Sequence, residues 1–395
     1  MIPQVPIIKN PERFQDFDLP KEKLEFALKE ALKKLDLGIE NFGGTKFPAE
    51  SSKANVYAPT MNDSGWGQGF WTGMLWHAYE LTGDEKYKKV ALENVDTFYE
   101  RIDKKLGVNH HDMGFLYSPS CVAAYKLCAS EKGKEAALKA ADHLMTRYSE
   151  KGKFIQAWGN VGDPEFYRLI IDCLLNIPLL YWATSVTGDE IYAEAAYNHF
   201  QTAVEVCCRE DASTYQTYYF DVNTHKPLRG VAHQGLNDES TWSRGQAWGV
   251  YGPILTYQYR NDQKSIDVFK ATAAYFINYL PEDYVPYWDL CFTEGDEPRD
   301  SSAASCAICG ILEALKYMDD ADPLKKIFYN AAKKMMNGLI ETCLTKDIPE
   351  SNGLLLHATY YKKGNLGVDE MNIWGCYFYM EALHRFLIPD WKLYW

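Results

Sequence analysis

The 395-residue sequence predicts an all-α protein, an (α/α)6 barrel built as a closed ring of six helical hairpins, in a single domain spanning residues 1–395. Two observations lead to this prediction. A helix rich in small or aromatic residues, followed by a polar turn and an amphipathic helix, recurs six times along the chain. No low-complexity linker, run of like charges or long β-rich stretch divides these repeats.

The repeated units are easiest to recognise where two turns are almost identical. LTGDEKY follows a predicted helix that starts near residue 69, and VTGDEIY follows one that starts near residue 172. Further units begin near residues 114, 245, 301 and 372. The helix KEKLEFALKEALKKL, close to the N terminus, supplies the first outer helix and completes the ring.

The two helices of each unit differ in composition. The first carries Gly, Ala and Ser, which allow close packing in an inner ring, whereas the second carries Lys and Glu on one face, as outer helices do. Spacings of about 45 to 75 residues are too irregular for an open solenoid and favour a closed ring with loops of unequal length. Loops that enter the inner helices meet at one mouth, where we expect the functional site.

Composition excludes several classes of partner. The formal charge of -13 repels nucleic acid and anionic membranes, so an anionic ligand needs local cations in a pocket. MIPQVPIIKNPERF lacks the pattern of a signal peptide, and no stretch of about 18 apolar residues occurs, so we expect a cytoplasmic protein without a membrane span.

The ten cysteines are expected to be reduced thiols that mostly fill the core. Cys306 and Cys309 form a Cys-x-x-Cys pair, but it lies in an apolar, small-residue helix without a second pair or a nearby histidine. We therefore predict neither a metal nor a cofactor for this pair or for the protein.

Asp172 stands out in the apolar segment YRLIIDCLLNIPLLYW. If this segment is helical, Arg168, Asp172 and Asn176 line one face at i, i+4 spacing. A buried carboxylate must be paired or functional, so the alternatives are an ion pair with Arg168 or a catalytic group.

Asp112 follows His110 and His111 in NHHDMGF. A structural role as the N-cap of the next helix is one interpretation of this carboxylate. A His-His-Asp metal site is another, but no third ligand occurs at a usual spacing.

Aromatic residues fall on several segments that enter the inner helices, where flat rings could form a platform for sugar faces. They are Trp66, Phe70, Trp158, Trp242 and Trp248. The stretch HQGLNDESTWSRGQAWG adds Arg244, whose planar fork suits a carboxylate, and His233 and Gln234, which suit other sugar oxygens. This combination predicts a site for an acidic sugar.

The chain resembles the unsaturated glucuronyl hydrolases, glycoside hydrolase family 88, over essentially its whole length. The resemblance lies in NHHDMGFLYSPS, FIQAWG, YRLIIDCLLNIPLL, HQGLNDESTWSRGQAWGVYG, YWDL with PRDSSA, GVDEMNIWGCYFYMEAL and WKLYW. That family has the six-hairpin barrel, in agreement with the repeats. The resemblance implies release of a 4,5-unsaturated uronic acid from the non-reducing end of lyase-generated oligosaccharides, through acid/base-catalysed hydration of the C4=C5 vinyl ether.

By the same resemblance Asp172 is the acid/base and Asp112 its partner, His111, His233, Gln234 and Arg244 make polar contacts, and the five aromatic residues form the wall. Two departures stand out. Gln216 occupies a position where the family commonly has histidine, which puts a proton-dependent role there in doubt. Members adapted to sulfated glycosaminoglycans carry two serines and a lysine before GVDE, where this chain has Tyr361, Gly364 and Leu366, so we expect a uronic acid without sulfate.

Other functions remain open at this stage. An unsaturated rhamnogalacturonyl hydrolase would use the same barrel and chemistry on pectin fragments. An inverting glycosidase would use Asp112 and Asp172 as a base and acid on a saturated sugar. A sugar epimerase would want paired histidines at the mouth, and a non-catalytic carbohydrate-binding protein would not need the two aspartates. In each case the expected ligand is a small sugar or oligosaccharide, and the protein is a monomer or homodimer.

Overall fold

The structure, a computed structural model, describes residues 3–395, and helices dominate it. The outer helices are α1 (Lys21–Phe42), α3 (Glu85–Asp103), α6 (Glu131–Met145), α8 (Glu190–Cys207), α10 (Gln263–Asn278) and α12 (Pro323–Thr342). The inner helices are α2 (Gln68–Thr82), α4 (Met113–Tyr117) with its continuation α5 (Ala123–Cys128), α7 (Pro178–Thr187), α9 (Ser243–Arg260), α11 (Ser301–Ala314) and α13 (Ile373–Leu387). A π turn over Ser118–Val122 joins α4 to α5.

The last inner helix, α13, packs against the first, α2, and so closes the ring. The predicted (α/α)6 barrel is therefore confirmed, including the role of α1 as the first outer helix. Among residues 3–395, none of the helices combines the length and apolar character needed to cross a bilayer.

The repeated GDE turns have a simple physical basis. Gly83 and Gly188 end inner helices in the left-handed conformation, with φ of 70° and 76°, which glycine adopts without strain. Asp84 and Asp189, the next residues, each accept a backbone N–H from the first turn of the following outer helix. One Gly-Asp pair thus stops the inner helix and starts the outer one.

Short antiparallel strands lie at the mouth of the barrel. They are β1 (Phe47–Pro48), β2 (Pro59–Thr60), β3 (Tyr148–Ser149), β4 (Phe154–Ile155), β5 (Arg168–Ile170), β6 (Thr217–Phe220), β7 (Pro227–Val231), β8 (Ala358–Tyr361) and β9 (Leu366–Glu370). The order in the largest sheet is β5-β6-β7, and β8 pairs with β9 as a hairpin.

The prediction of one helix through residues 168 to 176 is wrong. Arg168 lies on β5, Asp172 lies in the 3-10 turn Ile171–Leu175, and α7 begins only at Pro178. β5 pairs with β6, where Arg168 is opposite Tyr219, a partner too distant in sequence for local periodicity to indicate. Arg168 and Asp172 consequently share no helix face, and no ion pair joins them.

Candidate active site

A cavity of about 280 Å³ opens at the mouth, above the N-terminal ends of the inner helices. Its wall consists of Trp66, Asp112, Trp158, Arg168, Ile170, Asp172, Gln216, His233, Gln234, Tyr360, Tyr361 and Leu366. Seven of the residues predicted from the sequence are in this wall, and the structure therefore brings both candidate carboxyl groups to one cavity.

A larger cavity of about 840 Å³ lies where α11 and α13 end and α12 begins, at the opposite end of the barrel. Leu312, Leu315, Phe386 and Pro389 form part of its lining, together with exposed lysines and aspartates. Size alone would favour this cavity as a ligand site, but it lacks a close pair of buried carboxyl groups. The chemistry therefore points to the smaller cavity at the mouth.

Asp112 occupies the N-cap position of α4, but its side chain makes no capping hydrogen bond. The expected capping interaction is therefore absent, and the carboxyl group, 2% exposed, is available to the cavity. Burial raises the pKa of Asp112 to about 8, against the opposing charges of Arg147 and Arg101. A carboxyl group with this pKa retains its proton at neutral pH.

Asp172 enters the cavity from the first 3-10 turn after β5. Its side chain is 19% exposed, yet Oδ1 is buried and has no hydrogen-bond partner. Burial raises the pKa of Asp172 well above the usual range, the nearby Asp112 raises it further, and the charge of Arg244 opposes both effects. Burial and the neighbouring Asp112 thus favour the protonated form of Asp172, whose side chain is partly accessible from the cavity.

His111 is fully buried between the two acids. Its Nε2 lies 3.3 Å from Oδ1 of Asp112 and 3.4 Å from Oδ1 of Asp172. Burial and the neighbouring His110 lower the pKa of His111 well below the usual range, so the ring is neutral and does not favour ionisation of the acids.

Three donor atoms, one each from His111, Asp112 and Asp172, lie within 4.8 Å of one another and could ligate a small cation. Metal ligation requires carboxylates that have lost their protons. Because burial raises the pKa of both acids, a cation would have to displace their protons in order to bind here.

Close backbone packing brings the two acids together. A Cβ atom at Gly114 would lie 2.3 Å from Cα of Asn176, so the segments that carry Asp112 and Asp172 approach here as only glycine allows. The side-chain oxygen of Asn176 also accepts the backbone N–H of Phe115 at 2.8 Å. These contacts fix the start of α4 against the 3-10 turn.

Trp66 and Trp158 form the aromatic part of the wall, as predicted. Trp66 stacks on Trp374 with ring centroids 4.6 Å apart, and its Nε1 donates to the hydroxyl of Tyr360. Trp158 stacks on His110, also at 4.6 Å. Both rings are therefore held rigidly before a ligand binds.

Gln216 and Gln234 form a reciprocal pair on another side of the cavity. Nε2 of Gln216 donates to Oε1 of Gln234 at 2.9 Å, and Oε1 of Gln216 accepts the backbone N–H of Gln234. His233 is exposed at the mouth and stacks on Tyr361. The amide of Gln216 thus orients Gln234 without taking part in proton transfer.

Three of the predicted aromatic residues are not in the cavity wall. Phe70 and Trp248 are buried in the core, where Phe70 packs on Tyr377 and both rings contact Phe115. Trp242 is also buried and lies beside Arg244. Rings on the first turns of inner helices point into the barrel, because that is where the largest apolar contact area is available.

Arg244 differs from its predicted role as a fork for a sugar carboxylate. It is buried and absent from the wall, with one terminal nitrogen 2.7 Å from Oδ2 of Asp300. The same nitrogen donates to the carbonyl of Thr359, and the other donates to that of Tyr360. A buried guanidinium needs such partners, so both terminal nitrogens are occupied by the protein.

Several wall residues were not predicted as ligand contacts. Arg168, considered only as an ion-pair partner, lines the cavity with Ile170 because β5 points both side chains the same way. Tyr360, Tyr361 and Leu366 arrive from the β8–β9 hairpin. The tyrosine pair in HATYYKKGNLGVDE was the available signal for this hairpin.

The sequence profile of Glycosyl Hydrolase Family 88 matches residues 44–377 of the chain. The chain belongs to Glycosyl Hydrolase Family 88. A family 88 relative from Streptococcus agalactiae, named unsaturated chondroitin disaccharide hydrolase, is 48% identical and covers 99% of this chain and 98% of its own. An unsaturated glucuronyl hydrolase from a Bacillus species is 42% identical over 87% of this chain and 91% of its own.

Solved structures agree with this assignment. The crystal structure of the unsaturated glucuronyl hydrolase from S. agalactiae superposes with a TM-score of 0.97 at 48% identity, and the match covers 100% of this chain and 99% of that one. An aspartate-to-asparagine mutant of that enzyme, complexed with dGlcA-GalNAc6S, gives a TM-score of 0.90 at 44% identity over the same shares of both chains. The present family 88 chain is accordingly a glycoside hydrolase with the (α/α)6 barrel.

Proposed function

We propose that the protein removes a 4,5-unsaturated uronic acid from the non-reducing end of lyase-generated glycosaminoglycan disaccharides. The observation that carries this proposal is the pair of buried carboxyl groups, Asp112 and Asp172, which line one cavity and whose pKa values are raised by burial. A vinyl ether reacts by protonation of its C4=C5 bond, and a carboxylic acid that is still protonated at neutral pH supplies that proton. The names of the relatives point to the same class of substrate.

Asp172 is the proposed acid because its carboxyl group is the more exposed of the two. It transfers its proton to C4 of the substrate, and positive charge develops at C5 and the ring oxygen. The resulting Asp172 carboxylate then takes a proton from water as the water oxygen bonds to C5. This restores the acid and produces a hemiketal at C5.

The hemiketal completes the reaction without a further catalytic group. Its ring C5–O bond breaks to give a ketone at C5, the ring opens, and C1, now a hemiacetal carbon, releases the aglycone with its glycosidic oxygen. One water is consumed, and one keto-aldehyde acid and one alcohol are formed. Over one cycle Asp172 gives one proton to C4 and regains one from water.

Asp112 and His111 assist by controlling the proton. The proximity of a second carboxyl group disfavours ionisation of Asp172, as two like charges at this distance repel each other. His111 lies between them as a neutral ring. We assign Asp112 to a sugar hydroxyl as well, because its carboxyl group faces the same cavity.

The remaining wall residues are assigned to binding. Trp66 and Trp158 offer faces for the sugar, while Gln234 and His233 offer polar atoms, with Gln216 orienting Gln234. Arg244, held behind the wall by Asp300, contributes its positive charge to the site. Phe70, Trp242 and Trp248 support the wall from the core.

The distance between the acids argues against an inverting glycosidase. Inverting enzymes keep their carboxyl groups about 6.5–9.5 Å apart to accommodate water between them. Here oxygen atoms of Asp112 and Asp172 lie within 4.8 Å. The two groups therefore lie too close together to hold a water between them as an inverting enzyme does.

The test is a panel of unsaturated disaccharides from chondroitin, hyaluronan, heparin, gellan and rhamnogalacturonan digestion. Loss of the ultraviolet absorbance of the conjugated double bond reports turnover. We expect the chondroitin and hyaluronan products to be consumed fastest. Preference for the rhamnogalacturonan product would assign the protein to the pectin-directed enzymes. A released product that retains the double bond would refute hydration. Epimerisation of the sugar without hydrolysis would also refute it.

We also infer that residues 1–395 act as one catalytic domain, as a monomer or homodimer, in the cytoplasm. The closure of the ring by α13 on α2 supports one domain, and ten cysteines without a disulfide among them suit a reducing compartment. Limited proteolysis, light scattering and fractionation of cells test these three inferences. A stable proteolytic half-barrel would contradict the single domain, and an assembly larger than a dimer would contradict the oligomeric state. Activity outside the cell would contradict the cytoplasmic location.

A further inference from the structure

Three side chains form a row that leads out of the cavity along the β5-β6-β7 sheet. Arg168 on β5 is paired with Tyr219 on β6, which is in turn paired with Arg229 on β7. Directly opposed residues of antiparallel strands project from the same face. Because Arg168 and Ile170 line the cavity, this row of Arg168, Tyr219 and Arg229, here called the arginine ladder, lies on the cavity side of the sheet.

The ladder is held together by contacts between its own members. The guanidinium carbons of Arg168 and Arg229 lie 5.4 Å and 5.2 Å from the centroid of the Tyr219 ring. A terminal nitrogen of Arg168 also donates to the hydroxyl of Tyr219. The tyrosine therefore holds two cationic forks in orientation before any ligand arrives.

Neither arginine is neutralised by the protein. Within residues 3–395, no carboxylate lies within 4 Å of Arg168 or Arg229, although the chain has 54 acidic residues against 41 basic ones. Nε of Arg168 is buried and has no hydrogen-bond partner. A buried donor without an acceptor is costly, so the protein leaves the Arg168 guanidinium incompletely satisfied.

We propose that the arginine ladder is an aglycone subsite that binds an anionic group, a sulfate ester or a carboxylate, on the sugars that follow the unsaturated uronic acid. This inference rests on the proposed function, which puts the unsaturated sugar against Asp172. The aglycone then leaves the cavity through its mouth, and Arg168 is the cationic side chain of the wall with permanent charge. Arg229 is exposed on β7, two strands away from Arg168 and therefore roughly 10 Å from it across the sheet. It extends the subsite outward from the cavity.

The chemistry of the ladder selects the class of ligand. Arginine forks bind sulfate and carboxylate oxygens through two parallel hydrogen bonds, and the tyrosine between them offers a face to a sugar ring. The subsite is distinct from the β8–β9 hairpin, where Tyr361 and Leu366 provide no cation. We therefore assign selectivity for charged aglycones to the β5-β6-β7 sheet, while Lys362 and Lys363 are the cations of the hairpin turn.

The experiment compares kcat/KM for three unsaturated substrates: the unsulfated chondroitin disaccharide, the same disaccharide with a 6-O-sulfate on its hexosamine, and the unsulfated tetrasaccharide, which has a second uronate. The quantity of interest is the ratio of each charged-aglycone value to the unsulfated disaccharide value. Arg229→Ala should lower at least one ratio about three- to fivefold, as expected for a partly solvated charge pair, and Arg229→Glu should lower it further. The substrate whose ratio changes identifies the anion as sulfate or carboxylate.

Two controls separate a local effect from a general one. Arg260 is an exposed arginine over a tyrosine ring, Tyr197, at the far end of α9, and Arg260→Ala should leave both ratios unchanged. In the wild type, raising the ionic strength from about 0.01 M to about 0.15 M should reduce the preferred ratio, because the screening length falls from about 30 Å to about 8 Å.

The proposed subsite would be refuted if both kcat/KM ratios, charged aglycone over unsulfated disaccharide, stay within twofold of wild type in both Arg229 variants. An equal change in Arg260→Ala would also overturn it, because the effect would then be one of net charge. If the wild type releases no unsaturated uronic acid from any of the three substrates, the proposed function fails instead. The two failures are therefore distinguishable.

Discussion

Nδ1 of His110 lies 3.1 Å from Oδ2 of Asp112. The same nitrogen accepts the backbone N–H of Asp112 at 3.1 Å, and Nε2 of the ring lies 3.0 Å from the carbonyl oxygen of Gly107, to which it donates. Burial lowers the pKa of His110 to about 3, so the ring is neutral and Nδ1 presents a lone pair. This lone pair is engaged by the backbone N–H of Asp112, so the ring donates no hydrogen bond to the carboxyl group and does not oppose its raised pKa.

Replacement of the proposed acid tests its role. Asp172→Asn should lower kcat by a factor of about a thousand or more while the fold is retained, because an asparagine amide cannot donate the proton and the other acid, Asp112, is almost fully buried. Turnover of the unsulfated disaccharide and the far-ultraviolet circular dichroism spectrum are measured together. Asp96→Asn, at an exposed position on outer helix α3, is the matched control and should be fully active. Activity of Asp172→Asn within tenfold of wild type would refute the assignment.

The raised pKa of Asp112 predicts a pH-dependent stability. In the folded protein this carboxyl group keeps its proton up to about pH 8, whereas in the unfolded chain it has an ordinary pKa. The folded state therefore binds more protons, and its stability falls as the pH rises from about 4 towards 8. Asp112→Asn removes this loss. The difference in free energy of unfolding, Asp112→Asn minus wild type, should therefore be larger at pH 8 than at pH 5 by more than about 1 kcal/mol.

Denaturant unfolding of wild type, Asp112→Asn and Asp96→Asn at both pH values measures this difference. The Asp96→Asn curves should run parallel to those of wild type. If the Asp112→Asn curves also run parallel, the Asp112 carboxyl group is ionised in the folded protein and the raised pKa assigned to it is wrong.

Arg244 and Asp300 provide a test of the buried ion pair behind the wall. Asp300→Ala leaves a buried guanidinium without its carboxylate and should cost about 3–5 kcal/mol of stability. Asp300→Asn retains an acceptor and should cost less. The midpoints of denaturant unfolding report both. A loss below about 1 kcal/mol for Asp300→Ala would mean that the fork of Arg244 is free for substrate, as first expected from the sequence.

The β8–β9 hairpin predicts selection against sulfate on the unsaturated sugar itself. Tyr361, Gly364 and Leu366 offer neither a small hydroxyl nor a charge, so a 2-O-sulfate loses its hydrogen bonds to water without replacement. We expect the unsulfated disaccharide to have a kcat/KM at least tenfold above that of its 2-O-sulfated counterpart, about 1.5–3 kcal/mol. Tyr361→Ser, Gly364→Ser and Leu366→Lys together should narrow the gap.

Lys362 and Lys363 decide the alternative outcome, since they lie in the turn that joins β8 to β9. If the wild type prefers the 2-O-sulfated sugar, alanine at both positions should abolish that preference, and the assignment of substrate would have to be revised around these lysines.

The barrel could be predicted from the sequence because its signals are local. Small residues, amphipathic faces and Gly-Asp turns mark helices within the repeats, and the inner helices other than α7 begin within two residues of the predicted positions. The prediction was wrong between Arg168 and Asn176, where pairing of β5 with β6 decides the conformation. That pairing joins segments about fifty residues apart and leaves no trace in local periodicity.

The candidate site was predictable to the same extent. Asp112, Asp172, Trp66 and Trp158 stand out by residue type, and all four line the cavity. Residue type could not distinguish Phe70, Trp242 and Trp248, which point into the core, from rings in the wall. For Arg244 the missing information was its partner Asp300, 56 residues later. Tertiary packing decides side-chain orientation and long-range ion pairing. These two features account for the differences between the predicted and the observed site.

The fate of the water oxygen tests hydration of the C4=C5 bond most directly. The reaction is run in heavy-oxygen water under single-turnover conditions, and the product is reduced with borohydride at once, before its carbonyl groups can exchange oxygen with the solvent. Mass spectrometry of the fragments then locates the label. Addition of water at C5 predicts label at C5 of the reduced uronic acid product, with none at C1 and none in the aglycone. Label at C1 would contradict hydration and establish ordinary hydrolysis of the glycosidic bond.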